Sequence, residues 1–282
     1  MTENHALTLA GVSGICFGSA LVTAKLGLRT IDARSGAAIS IPSATVLLVL
    51  AAPFALDISG FTLAAALIFA AVGIFFPAAV TLLTFAANER LGPSVTGTVS
   101  STAPLFALAA AFALLGERIP VRALVATVVV VAGVALFSWR GGALMRRALW
   151  LPLMGAALRG IVQVVAKAGL ALWPSPFAAS LIGYSVSTVT VSLAARGRQR
   201  GRGRGALLWF MATGLLNGLA VLVMYAALSA APVSLVAPLV AGYPLVTVLL
   251  GAAVLREERL SVRSLAGALL IVGGIAYLVA GS

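Results

Sequence analysis

The chain has 282 residues, of which 61% are hydrophobic and only 9% charged, with a net charge of +12. A soluble domain carries roughly 25% charged residues, so this composition cannot cover a water-facing surface and excludes a soluble enzyme, a coiled coil and a disordered chain alike. Cys16 is the only cysteine and His5 the only histidine, which removes disulfide frameworks, thiolate metal clusters and His-based catalytic pairs; no cofactor and no metal are expected.

A helix needs about 20 mostly apolar residues to cross the hydrocarbon core. In chain order, such runs fall at 6–28, 35–56, 62–87, 93–115, 121–139, 148–170, 177–195, 206–230, 232–255 and 262–280. The expectation is therefore an all-α membrane protein of ten transmembrane helices. The first run follows Met-Thr-Glu-Asn-His, which lacks a basic n-region, so a retained span is expected rather than a cleaved signal. Connections are short, the longest being the Arg/Gly stretch at 196–205. With its arginines confined to such loops, the chain has no basic domain to lay along nucleic acid.

Lysine and arginine placement sets orientation. Fifteen of the nineteen lie in odd-numbered loops or at the span ends beside them, among them Lys25, Arg29, Arg34, Arg90 and the five arginines of 196–204. Only Arg118, Arg122 and Lys167 lie on the opposite side, and Arg159 stands alone within a span. The odd loops are therefore expected to be cytoplasmic and both termini non-cytoplasmic.

The sequence also repeats at a spacing of about 140. Val22, Ala24, Lys25, Gly27 and Leu28 return as Val164, Ala166, Lys167, Gly169 and Leu170, and Gly18 returns as Gly160. Further on, Phe85-Ala86-Ala87 matches Tyr225-Ala226-Ala227, Pro104 matches Pro244, Glu117-Arg118 matches Glu258-Arg259, and Gly133 matches Gly274. Two halves, 1–140 and 141–282, of five spans each must cross in opposite senses. That is the inverted repeat of many secondary transporters, which bind substrate between the halves near the midplane.

These landmarks resemble the drug/metabolite transporter superfamily, specifically its ten-span EamA-type carriers. The likeness rests on the small-residue first helix ending near Lys25, Ala86-Ala87, Pro104 with Leu114-Leu115-Gly116-Glu117-Arg118, and Gly133, with Lys167, Pro244, Glu258-Arg259 and Gly274 in the second half. The resemblance implies export of amino acids or related small metabolites across a bacterial-type cytoplasmic (inner) membrane by alternating access, the amino-acid exporter branch being nearest. The other readings are uptake of small organic anions and, from a different class, a membrane-embedded enzyme acting on lipid head groups, which the missing His, Cys and mid-span carboxylates disfavour. The expected partners are a small-molecule substrate and the lipid bilayer, without nucleic acid. Gly14/Gly18 and Gly214/Gly218 are small-xxx-small pairs that argue for tight packing within a bundle; a monomer suffices, and a weak homodimer is compatible with them.

Arg159 is the leading candidate for substrate contact, because a mid-span charge costs about 2.5–3.5 kcal/mol on insertion scales. Gln163 shares its helix face at i+4, and the pair suits a carboxylate; the competing reading is an arginine that caps backbone carbonyls or snorkels. Ser100 and Thr102 beside Pro104, Tyr243 beside Pro244, Asn217, and Phe76 in Phe75-Phe76-Pro77 complete the substrate-binding candidates, each with helix packing as its alternative. Pro104 and Pro244 are candidate hinges. Lys25 and Lys167 are candidate gates, or else helix-end anchors. Glu117-Arg118 and Glu258-Arg259 read as helix-end charge clusters that fix turns. Every Asp and Glu lies at a span end or in a loop, so the expectation is passive exchange or facilitated diffusion, or else coupling at a site other than a buried carboxylate. A reporter fused to the C-terminus is expected to be active on the non-cytoplasmic side; cytoplasmic activity would overturn the orientation.

Overall fold

The structure is a computed structural model that describes residues 3–138, 148–194, 204–255 and 262–279. Among these the chain is helical throughout, as lipid demands, because backbone N–H and C=O groups find no water in the bilayer core. The helices are α1 (Glu3–Leu28), α2 (Ala33–Ala55), α3 (Leu63–Gly73), α4 (Val80–Ser100), α5 (Ala103–Ala110), α6 (Val121–Ser138), α7 (Trp150–Leu172), α8 (Pro176–Ala194), α9 (Arg204–Ala230), α10 (Val233–Val240), α11 (Tyr243–Leu250) and α12 (Val262–Val279). Seven segments among the described residues are long and apolar enough to cross a membrane, and three shorter apolar helices run through Ala103–Leu115, Val121–Gly133 and Leu269–Leu278. The arginines of 140–147 and 196–202 and the Glu258-Arg259 turn lie outside the described residues.

The outer surface is apolar. Phe54 is 93% exposed, and Leu50, Leu67 and Phe112 also point outward, an arrangement that lipid tolerates and water would not. Polar side chains turn inward and tie helices together: Ser13 Oγ donates to Ala220 O at 2.8 Å, the Thr23 and Thr213 hydroxyls lie 2.8 Å apart, and those of Thr45 and Thr188 lie 2.7 Å apart. Interhelical bonds of this kind contribute on the order of 0.6–2 kcal/mol each in a membrane.

Contacts run reciprocally between the halves. Helix α1 lies along α9, α10 and α11, whereas α7 lies along α3, α4 and α5; α2 packs on α8, and α6 packs on α12. Glycines make the approaches close. A Cβ at Gly18 would lie 2.6 Å from Tyr243 O, and one at Gly160 would lie 2.6 Å from Ala103 O. Likewise Gly133 faces Gly267 and Leu270, while Gly274 faces Ala126 and Val129. Every pair of contacts is the other displaced by the repeat spacing.

Several spans are broken where the sequence reading drew them continuous. The run at 62–87 passes through a π-type turn, Ile74–Ala79, in which Phe76 is extended (φ −137°, ψ 123°). That break frees backbone groups, and Ser187 of α8 pairs them: its Oγ donates to Gly73 O and accepts from Ala78 N at 3.2 Å. The chain then stays close to helical until Gly92 (φ 78°, ψ 169°), so the boundary expected over 88–92 is one left-handed glycine, a conformation that needs no Cβ. The 93–115 and 232–255 runs break just before Pro104 and Pro244, leaving α5 and α11 as eight-residue helices with proline at their second position. Proline has no N–H to donate four residues back. Both segments close with matching π-type turns, Ala111–Leu115 and Gly251–Leu255.

Removing the Ser187 hydroxyl takes a partner from both Gly73 O and Ala78 N in a dry interior, where a lost partner costs about 1–3 kcal/mol. Ser187→Ala is expected to lower the thermal midpoint in detergent clearly below that of Ser19→Ala, because the exposed Ser19 hydroxyl bonds only to Ile15 O of its own helix.

Candidate functional site

Arg159 sits at mid-length in α7, between the glycines at 155 and 160 that let α4 and α5 approach. It is 9% exposed, and its guanidinium carbon lies 4.9 Å from the Phe17 ring centre and 5.8 Å from those of Phe76 and Tyr243. Four elements thus enclose one cation: α1 supplies Phe17, the broken third span Phe76, α7 the arginine, and α11 Tyr243. A ring face attracts a desolvated cation by up to about 2 kcal/mol, so three rings are of the same order as the insertion cost of the charge. The rings occupy faces only. Among the described residues no carboxylate pairs with Arg159, and its N–H donors make no hydrogen bond. Five donors in a rigid fork are therefore aimed into the protein without an acceptor.

Two small cavities flank the guanidinium. One, about 20 Å³, is lined by Phe17, Leu21, Thr81, Thr84, Asn217 and Tyr243 besides Arg159. The other, about 10 Å³, is bounded by Ser100, Pro104, Gln163, Ala237, Ala241 and Tyr243. The larger has room for about one water molecule; the site is closed in this conformation. The second cavity lies where the two proline breaks face each other, which puts the irregular backbone of both halves beside Arg159 rather than against lipid.

The structure brings most of the sequence candidates together. Arg159, Gln163, Ser100, Asn217, Tyr243 and Pro104 line the cavities, and Phe76 covers the guanidinium. Gln163 Nε2 also reaches Met224 Sδ at 3.4 Å, and the Tyr243 hydroxyl reaches Gly97 O at 3.5 Å. Thr102 stands apart: its hydroxyl donates to Val99 O at 2.7 Å and lines neither cavity. Pro244 packs over Gly97. Sequence reasoning missed Phe17, Thr81, Thr84 and the fully buried Tyr184, whose hydroxyl has no partner. A signal existed for some of these, since Thr81 and Thr84 are polar at i, i+3 inside an apolar run and Tyr184 is one of only four tyrosines.

Lys25 and Lys167 lie away from the cavities and occupy equivalent helix-end positions. Lys167 Nζ donates to Leu228 O at 2.9 Å and Ala231 O at 2.6 Å, and Lys25 Nζ donates to Asn88 O at 3.5 Å. Each therefore supplies donors to carbonyls near the end of a neighbouring helix, where no intrahelical partner follows. Glu117 works on the same turn as Lys167, its Oε1 accepting from Val233 N at 3.3 Å at the start of α10.

The geometry defines a multi-pass membrane protein with an enclosed cationic site between two sets of helices. The profile of the EamA-like transporter family matches residues 5–139 and again 146–280. The chain belongs to that family, as two repeats in tandem, which places it with membrane transporters. No curated protein matches the sequence. A solved structure described only as the crystal structure of a protein is similar in fold, with a TM-score of 0.76 over 96% of each chain at 18% identity.

Charge-assisted hydrogen bonds contribute about 1.5–3 kcal/mol, and Lys167 makes two short ones where Lys25 makes one long one. Lys167→Met is therefore expected to lower the thermal midpoint in detergent more than Lys25→Met. Equal midpoints would show that the carbonyl contacts carry no stability.

Proposed function

We propose that the protein is a secondary carrier that exports amino acids or related small metabolites across the cytoplasmic (inner) membrane by alternating access. The observation that carries this reading is Arg159, a buried cation wrapped by three rings and lacking an acceptor for its donors among the described residues. A substrate carboxylate completes that group, since a guanidinium fork matches two carboxylate oxygens at once. The proposed frame is ten spans in two inverted five-helix halves, with both termini non-cytoplasmic. Its support is the reciprocal packing of α1 and α7, the matching proline breaks and π-type turns, and the fifteen-to-three bias of lysine and arginine.

In this mechanism the closed cavities open alternately to either side as the halves rock. Pro104 and Pro244 serve as hinges, and Lys25 and Lys167 release and regain their helix-end carbonyls as gates. Gln163, Ser100, Asn217, Tyr243 and Phe76 line the path, with Thr102 at the hinge beside Pro104. No mid-span carboxylate is available to carry a proton, so the transport step is exchange or facilitated diffusion. Uptake of a small organic anion is the second reading, favoured by the same arginine and by the absence of an acidic side chain to receive an ammonium group.

Counterflow of radiolabelled amino acids in proteoliposomes tests the reading. The wild-type protein is expected to accumulate label against an internal pool, and Arg159→Ala to lose at least about tenfold in rate, the loss of one charged hydrogen bond, while remaining folded by size-exclusion chromatography. Folded Arg159→Ala protein exchanging at the wild-type rate would overturn the assignment.

A further inference from the structure

Resting on the amino-acid reading above, the geometry points to a division of the site into two chemically different ends. We infer that Thr81, Thr84 and Asn217 form a neutral subsite that receives the substrate's α-ammonium group, with the carboxylate held by Arg159. The observation behind this is one cavity wall. Thr81 and Thr84 are one turn apart on α4, Asn217 comes from α9, and all three line the larger cavity with Arg159. Both threonines are buried, at 9% and 6% exposure. A helical threonine in lipid ordinarily returns its hydroxyl to a carbonyl three or four residues back, as Thr45, Thr127 and Thr190 do here. Thr81 and Thr84 do not, and neither they nor Asn217 make a side-chain hydrogen bond to any described residue. The Thr84 hydroxyl instead faces Gly155, where an added Cβ would come within 3.8 Å.

A polar group in an apolar interior without a partner costs free energy, and two buried threonines with a half-buried asparagine, collected at one cavity beside the Arg159 guanidinium, are the imprint of a ligand. Their chemistry specifies which one. Two hydroxyl oxygens and an amide oxygen offer three acceptors, the number of donors on an ammonium group. Arg159 excludes a second cation from its own end and demands an anionic group. A short molecule bearing both, with the ammonium next to the carboxylate, is a zwitterionic α-amino acid. The subsite also explains how the carrier binds a zwitterion without a membrane carboxylate: the ammonium keeps the substrate's own carboxylate as its counter-charge and takes only neutral acceptors from the protein. The apolar remainder of the wall, Phe17, Leu21 and Phe85, favours an apolar side chain.

The test uses the full-length protein in proteoliposomes preloaded with L-leucine. Labelled L-leucine counterflow is competed with unlabelled L-leucine and with 4-methylpentanoate, which is leucine without its amino group. The wild-type protein is expected to prefer L-leucine by about tenfold or more, the scale of a charged hydrogen bond. Thr84→Val and Asn217→Leu should bring that preference toward unity by weakening L-leucine more than 4-methylpentanoate, and Thr84→Ser should retain it. Unchanged preference in both folded variants would overturn the subsite and leave the carrier reading intact. Absence of any L-leucine counterflow by the wild-type protein would overturn the amino-acid reading and the subsite together.

Discussion

In hydrocarbon a peptide group has no solvent to bond with, so each departure from an unbroken helix must be paired from elsewhere in the protein. Among the described residues several departures are covered in that way or gathered at one place. The extended residue Phe76 is tolerated because Ser187 bonds the groups on either side of it. The ends of the helices near Asn88 and Leu228 are met by Lys25 and Lys167. The breaks at Pro104 and Pro244 face one another beside Arg159. Irregular backbone is costly in a membrane, and its concentration around one buried cation marks that region as the candidate site.

Arg159 shows how two costs offset each other without closing the account. Three aromatic faces compensate the charge. They leave the N–H donors unused, because a ring face accepts charge but takes few hydrogen bonds. The proposed anionic substrate would use those donors on the cation. A carboxylate side chain in the same place would have neutralised it and removed the reason to bind anything.

The repeat explains why one half reads on the other. Gly18 against Tyr243 and Gly160 against Ala103 are the same contact made twice, and so are the faces of Gly133 and Gly274. The halves nevertheless differ at the centre. Arg159 belongs to the second half alone, its counterpart on α1 being the aromatic Phe17, whose ring lies against the guanidinium. The cation and its principal cover thus occupy equivalent places in the two repeats.

Much of this was legible in the linear sequence. Long apolar runs, the Lys25/Lys167, Pro104/Pro244 and Gly133/Gly274 pairs, and the isolated charge at Arg159 follow from composition and spacing, which depend only on lipid solvation and local helix geometry. The role of the lysines at helix ends was open there, because snorkelling and gating put the same residue at the same depth; the carbonyls of Leu228 and Ala231 became visible only in the fold. Thr102 and Ser100 were indistinguishable in sequence, and the backbone turned one toward Val99 and the other toward the cavity. Phe17 escaped notice because a single aromatic within an apolar helix is ordinary, and Thr81 and Thr84 because helical threonines in lipid ordinarily bond carbonyls of their own helix. What the sequence by itself determined is a helical membrane chain in two related halves with one unexplained cation. Which side chains surround that cation was decided by tertiary structure, since segments far apart in the chain meet only when their small residues and kinks let them close on one another.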